Sequence, residues 1–153
     1  MEVRYIMKKI LILLSSILLV IVLLISVISY LIISKPYTEI IQLNWDIKLP
    51  KPCKEIYAVD SGASFQGDGE RYHIFEYKNE DDINLSLNWE NSKNIEIELA
   101  IKKVLNNLNV SRENMPNFED NYKYYSKTKK DSSKIYFVFF PNIKKLYVIE
   151  DIC

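Results

Sequence analysis

The feature that most constrains this chain is an apolar run from Ile10 to Ile33, in which no residue carries a charge. Serines are the only polar residues among these 24 positions. A helix of that length rises about 36 Å, enough to cross the ~30 Å hydrocarbon core of a bilayer with some tilt. Every face of such a helix is apolar, and the remaining chain is too small to enclose it. The run therefore predicts one transmembrane helix.

The charges that flank this run predict its orientation. Arg4, Lys8 and Lys9 precede it, whereas only one lysine and one glutamate follow it closely. Basic residues are retained on the cytoplasmic side of a membrane. The sequence thus predicts a cytoplasmic N-terminus at residues 1–9 and a C-terminal domain on the outer face of the cell membrane.

The same run is too long for a cleaved signal peptide. The apolar part of a signal peptide is usually about 7–15 residues long and ends at small residues. No Ala or Gly occurs at residues 27–35, and Cys53 lies too far downstream to take a lipid anchor. We therefore predict an uncleaved signal anchor, and the lipid bilayer is the predicted partner of this segment.

The charge of the outer part argues against nucleic acid as a partner. Residues 36–153 carry 16 basic and 19 acidic side chains, so this part is about 3 units negative. No basic stripe reverses that balance. At 118 residues, the outer part is long enough for one domain with its own core.

Hydrophobic periodicity predicts an α+β fold for the outer domain at residues 55–153, following a stalk at residues 34–54. The predicted order is ββ(β)-α-βββ, with one helix packed on one antiparallel sheet. The predicted strands cover residues 55–59, 70–77, 83–89, 122–127, 134–140 and 145–152, and a short strand at 39–43 is considered for the stalk. The strand at 83–89 rests on alternation alone, and the apolar stretch 137–140 predicts a central strand.

The single predicted helix spans residues 94–108. Ile97, Ile101, Val104 and Leu108 share one face at helical spacing, and Ser92 is the candidate N-cap. A strand at the start of this segment is the alternative, because residues 95–99 also alternate between apolar and acidic side chains.

Two cysteines, Cys53 and Cys153, bracket the outer domain. Disulfides persist outside the cytoplasm, and a bond closing a loop of ~100 residues contributes up to about 4.7 kcal/mol in the chain-entropy model. The alternative is a pair of free thiols, since sequence does not supply the Cα separation.

All three glycines of the chain fall in one short loop and mark a backbone with special conformational needs. Two interpretations are open for this loop. The acidic side chains beside the glycines are hard oxygen ligands that suit Ca²⁺, whereas Asp-Gly is also a standard turn dipeptide. The spacing matches neither an EF-hand loop nor a Walker loop, so we favour the turn. The loop glycines are Gly62, Gly67 and Gly69, and the candidate metal ligands are Asp60, Asp68 and Glu70.

The segment from Ile56 to Glu70 resembles a phrase, D-[ST]-x-G-x-F-x-G-D-G, found in a family of small membrane-anchored extracytoplasmic proteins of low-GC Gram-positive bacteria. The proline-containing stretch at 49–52 and the strand at 146–150 resemble that family too. A histidine is common before Gly-Asp-Gly in the family, and Gln66 stands there in this chain. The resemblance implies architecture and membrane address, and it implies no activity.

Other chemistry-bearing residues are sparse. The single histidine, His73, lies in a predicted strand with Phe75 and Tyr77 on the same side, and no serine or cysteine nucleophile accompanies it. One His and two distant Cys do not fit a zinc site.

A group of lysines and tyrosines has two interpretations. It is either a surface that binds anionic polymer or lipid head groups, or a sheet edge that lysines protect from pairing with other strands. The group comprises Lys127, Lys129, Lys130, Lys134, Tyr122, Tyr124 and Tyr125.

These observations favour a single-pass membrane protein with a non-enzymatic binding or interaction domain and no cofactor. A small envelope enzyme or Ca²⁺-binding domain centred on Asp60, Asp68, Glu70 and His73 is the first alternative. An accessory subunit of another membrane or envelope protein is the second. For that role, serines at 15, 16, 26 and 29 would support contacts between helices in the membrane.

Overall fold

A computed structural model of the chain describes residues 2–33, 35–62 and 67–153. The chain divides into two compact units, Met1–Lys48 and Leu49–Cys153, and each is considered by itself. The fold is α+β, with an N-terminal apolar helix and one antiparallel five-stranded sheet, as the sequence predicts.

The first unit begins with a continuous helix, α1, from Glu2 to Ile33. Its segment Lys9–Ser29 is the one helical stretch of the described chain that is long and apolar enough to cross a membrane, and none of it is buried by protein. The hydroxyls of Ser15 and Ser26 bond carbonyl oxygens one turn earlier in the same helix. Each hydroxyl thus donates its hydrogen within α1 and keeps its acceptor lone pairs, and contact of these serines with another helix stays a prediction.

Helix α2, from Tyr37 to Trp45, replaces the short strand considered for the stalk at 39–43, which is therefore wrong. The buried side chains of this helix are Thr38, Ile41 and Trp45, a helical spacing. The helix ends where Asp46 adopts a left-handed conformation with φ of 54°.

The second unit contains the sheet, whose strand order is β1-β2-β5-β4-β3 with every neighbouring pair antiparallel. Five of the six strands predicted for the outer domain are confirmed, two of them with unchanged bounds, and β4 is an interior strand. The strands are β1 at Lys54–Asp60, β2 at Gly69–Glu76, β3 at Lys123–Thr128, β4 at Lys134–Phe140 and β5 at Lys145–Ile152.

The predicted strand at 83–89 is wrong. A short helix, α3, occupies Glu80–Asn84, and a turn follows it. Leu85, which alternation placed on a half-buried face, is 90% exposed. The indole N–H of Trp89 donates to the carbonyl of Ile83, so this segment folds back on itself. Only Glu90 pairs with the sheet, through an isolated bridge to Tyr124.

The predicted amphipathic helix is confirmed as α4, from Ile95 to Asn107. Its N-cap is Asn94 and not Ser92: the Asn94 Oδ1 accepts hydrogen bonds from the backbone N–H groups of Glu96 and Ile97. Two short 3₁₀ turns lie at Arg112–Asn114 and at Pro141–Ile143, and the second joins β4 to β5.

Both faces of the sheet are buried. Side chains of α4, among them Ile101, Val104 and Leu105, join one hydrophobic cluster with the sheet residues Tyr72 and Ile149. The opposite face carries a second set of buried apolar side chains, which are Phe75, Phe137, Phe139, Leu146 and Val148. The strands thus form an apolar layer, and α4 packs on one face of it.

Candidate functional site

The glycine loop is the connection of the β1–β2 hairpin. Asp60 pairs with Arg71 across the hairpin, and the Asp60 carboxylate accepts a hydrogen bond of 2.8 Å from the backbone N–H of Gly62. The hydroxyl of Ser61 accepts a second bond from the N–H of Glu70. Backbone φ is positive at Gly62, Gly67 and Gly69, which explains the glycine cluster. Residues 63–66 of the resembling phrase, including Gln66, lie outside the described residues.

Two of the three candidate Ca²⁺ ligands of this loop, Asp60 and Glu70, have separate roles. Glu70 directly precedes Arg71 in β2, so its side chain and that of Asp60 lie on opposite faces of the hairpin. Glu70 accepts a hydrogen bond of 2.7 Å from the amide of Asn107, at the end of α4. Among the described residues, no three His, Cys, Asp or Glu side chains form a group that could hold a metal ion. These contacts favour the turn interpretation of the loop.

His73 lies on β2, stacked on Phe75 with ring centroids 6.0 Å apart. Its Nδ1 contacts a carboxylate oxygen of Glu55 at 2.5 Å. Burial lowers the pKa of His73 below its usual 6.5, and the carboxylates of Glu55, Glu150 and Asp60 oppose that shift. The lowered pKa favours the neutral imidazole at pH 7, and in that form the tautomer with a proton on Nδ1 donates to Glu55.

The predicted lysine and tyrosine group is divided by the structure. Strand β3 is an edge strand, and Lys127 lies on it while Lys129 and Lys130 lie in the turn that follows. Tyr122 and Tyr124 are instead buried in the cluster under α4. The lysines therefore occupy the place that protects a sheet edge from pairing with other strands, and the tyrosines belong to the core.

The structure has Cys53 and Cys153 as free, exposed thiols. The N–H of Cys53 bonds the carbonyl of Glu76 at one end of β2, and Cys153 follows Ile152, which pairs with Gly69 at the other end. The length of β2 corresponds to about 23 Å. A disulfide needs a Cα separation of roughly 4.4–6.8 Å, so this fold supports the free-thiol alternative.

A cleft lies between the start of α4 and the segment that precedes β3. This cleft, called the α4 cleft below, has a volume of about 590 Å³. Its walls combine apolar and charged side chains, including Ile95, Pro116, Phe118, Lys93, Lys102 and Glu98. An opening of this size with mixed lining suits a small molecule or part of a larger one.

Hydrogen bonds and one ion pair hold charged groups of the α4 cleft. Glu98 is only 8% exposed, and its carboxylate accepts a bond of 2.7 Å from the hydroxyl of Tyr122. Lys102 lies 3.8 Å from the other oxygen of Glu98 and 5.3 Å from the ring centre of Phe118. The ammonium of Lys93 donates to the carbonyls of residues 118 and 119. The cleft is thus pre-organised before any ligand enters.

A second carboxylate extends this network. The Tyr124 hydroxyl donates to Glu90 at 2.5 Å and accepts a bond from the side-chain amide of Asn94, the N-cap of α4. Burial and the bond to Glu98 raise the pKa of Tyr122 to about 12, and the bond to Glu90 raises the pKa of Tyr124. Both phenols remain protonated donors at neutral pH, so the network holds groups in place and offers no base among the phenols.

Sequence reasoning did not find the residues of the α4 cleft. Lys93 and Glu98 lie about 20–30 residues from Phe118 and Tyr122, and no motif links the two segments. One signal was present: Glu98 falls between Ile97 and Ile101 beside the apolar face of an amphipathic helix, where an acidic side chain is buried only with a partner.

Comparison of the chain with protein-family models, with curated proteins and with solved structures found no match. The resemblance to small membrane-anchored proteins stays a prediction.

Proposed function

We propose that this chain is a single-pass protein of the cell membrane, with residues 1–9 in the cytoplasm and Leu49–Cys153 as an extracytoplasmic binding domain. The observation that carries the proposal is the segment Lys9–Ser29, which is apolar on every face and has none of its residues buried by protein. Exposure of such an apolar surface to water is unfavourable, whereas lipid is an apolar solvent for it. A helix also tolerates lipid because its backbone groups are hydrogen-bonded within the helix. The basic residues before the segment support the orientation.

The binding role of the outer domain is supported by the α4 cleft. Its charged groups are already held by neighbours, as Glu98 is by Tyr122 and Lys102. This arrangement positions ammonium and carboxylate groups at the rim of an apolar opening, which recognises a ligand by charge and shape. We also propose that the chain belongs to the family of small membrane-anchored proteins that it resembles. The support is architectural, because an apolar N-terminal helix is followed by one folded domain.

The native cysteines supply the test, because Cys53 and Cys153 are the only cysteines of the chain and both are exposed. A maleimide that does not cross membranes is applied to intact cells that produce the full chain. We expect both thiols to react. The matched control replaces both cysteines by serine and introduces Glu2→Cys, and we expect that thiol to react only after the cells are opened. If the control thiol reacts in intact cells and the native thiols do not, the orientation in the membrane is opposite to the one proposed.

A further inference from the structure

We propose that a second, smaller cleft beside the α4 cleft binds a phosphate group, either free or carried by a larger molecule. This cleft has a volume of about 190 Å³ and is called the β3 cleft. Its lining residues are Asn91, Lys93, Asn121, Tyr122, Lys123 and Pro141. The inference rests on the proposed binding role of the outer domain and names the chemistry of its ligand.

An isolated strand bridge builds the β3 cleft. The backbone N–H and carbonyl of Glu90 bond those of Tyr124, at 2.8 and 2.9 Å. Because this bridge is antiparallel, it brings Asn91 beside Lys123, although more than thirty residues separate them in sequence. The start of β3 and the turn after β4 supply the remaining wall, so the cleft rests on the rigid sheet.

The side chains of the β3 cleft supply an excess of hydrogen-bond donors. Lys93 uses two of its three ammonium N–H groups on backbone carbonyls, and Lys123 uses one on the side chain of Asn84. Within the part of the chain that the structure describes, three charged N–H groups therefore remain, with the carboxamides of Asn91 and Asn121 beside them. Among the described residues that line the cleft, none carries a carboxylate.

Two neighbouring acidic side chains, Glu90 and Asp120, are bound to other groups. Glu90 accepts the hydroxyl of Tyr124, and Asp120 accepts the side-chain amide of Asn117. Two positive charges in a small opening with no carboxylate in its wall attract an anion. A phosphate presents several strong acceptor oxygens in different directions, which matches donors that come from four side chains better than a planar carboxylate does.

The two clefts share Lys93, so they form one continuous binding surface. A phosphate in the β3 cleft leaves the remainder of a larger ligand beside the apolar groups of the α4 cleft, among them Ile95 and Phe118. The arrangement is therefore suited to a phosphate ester as well as to free phosphate.

The test uses the full chain in a phosphate-free detergent, with unfolding of the outer domain followed by near-ultraviolet circular dichroism. Inorganic phosphate, glycerol 3-phosphate and a short-chain phosphatidylglycerol are compared with sodium chloride at equal ionic strength. A ligand that binds only the folded state raises the unfolding midpoint with its concentration. We expect at least one phosphate compound to raise it beyond chloride, and the strongest of the three identifies the source of the phosphate.

Three variants distinguish a specific phosphate site from general electrostatic attraction. Lys123→Gln removes one ammonium of the β3 cleft, and the matched control Lys130→Gln removes an exposed one from the turn between β3 and β4. We expect the phosphate effect to be lost in the first and kept in the second. Asn91→Asp, which places a carboxylate in the cleft and leaves both lysines in position, is expected to abolish it too.

The proposal is overturned if no phosphate compound exceeds chloride, or if Lys130→Gln weakens the effect as much as Lys123→Gln. It is also overturned if Asn91→Asp binds phosphate as the unchanged chain does. These results are independent of the cysteine labelling, which tests only the topology.

Discussion

Helices α1 and α4 both expose large apolar side chains, but they do so in different surroundings. In α1, Leu18 is 63% exposed and its neighbours on every face are exposed as well. In α4, Leu99 is 59% exposed, while Ile101 and Leu105 are fully buried on the sheet. The exposure of one leucine therefore does not show whether a helix faces water or lipid. The presence or absence of a buried apolar face is the informative observation.

The largest effect is expected from charges placed in α1. The pair Leu18→Lys and Val22→Lys costs about 2.5–3.5 kcal/mol for each charge at the centre of a bilayer. We expect most of the variant chain to leave the membrane fraction on alkaline extraction. The matched change in α4, Leu99→Lys, is expected to leave that fraction unchanged; an equal loss in both variants would contradict the distinction between the helices.

A deletion on the buried face of α4 should have the next largest effect. Leu105→Ala removes a fully buried side chain and is expected to destabilise the outer domain by about 2–5 kcal/mol. Leu99→Ala, on the exposed face, should change stability by no more than about 0.5 kcal/mol. Urea unfolding of the full chain in detergent measures both, and similar midpoints for the two variants would show that α4 does not pack as described.

The hydroxyl bound to Glu98 should contribute less. Tyr122→Phe leaves a buried carboxylate without its donor, at a cost of roughly 1–3 kcal/mol. Tyr125→Phe is the control, because Tyr125 is only half-buried and its ring, which the change keeps, packs on Phe137. Combining Tyr122→Phe with Glu98→Leu removes both partners, so part of the stability should return. Additive losses in the double variant would argue against a direct contact.

The smallest effect is a pH dependence from His73 on the sheet. The pKa of this buried imidazole is lowered in the folded state, so the unfolded chain binds more protons near and below its usual pKa of 6.5. The contribution of the neutral His73 to stability is fully present above that pH and is lost as pH falls from about 6.5 towards the folded pKa. His73→Phe should flatten the slope of unfolding midpoint against pH between 7 and 5. An unchanged slope would assign the pH dependence to other groups.

Local signals predicted much of the fold. The bounds of β4 and β5 follow from apolar strands set between turn residues, and α4 follows from four apolar side chains at helical spacing. The strand predicted at 83–89 was wrong because the alternation of apolar and polar residues there does not reflect a buried and an exposed face. The hydrogen bond from Trp89 to the carbonyl of Ile83 closes the segment into a turn. In the stalk, the buried side chains of Ile41 and Trp45 stand four residues apart, a helical signal that a short segment leaves ambiguous.

The candidate site was beyond prediction for a different reason. Lys93 and Lys123 come together through the bridge between Glu90 and Tyr124. No periodicity predicts that pairing, because it joins a residue outside the strands to the start of β3 across a long separation in sequence. The glycine loop, by contrast, was visible from its composition, and its turn role follows from the carboxylate of Asp60 and the positive φ of Gly62.

The most direct test of the central claim compares Leu18 and Leu99 in one membrane. Each is replaced by cysteine in a full chain whose native cysteines are serine, and each carries a spin label in lipid vesicles. Accessibility to oxygen, which concentrates in lipid, is measured against accessibility to a water-soluble nickel complex. We predict that the label at Leu18 meets oxygen and is shielded from nickel, whereas the label at Leu99 meets nickel. Equal access of nickel to both labels would contradict the claim that α1 lies in the bilayer while the outer domain folds in water.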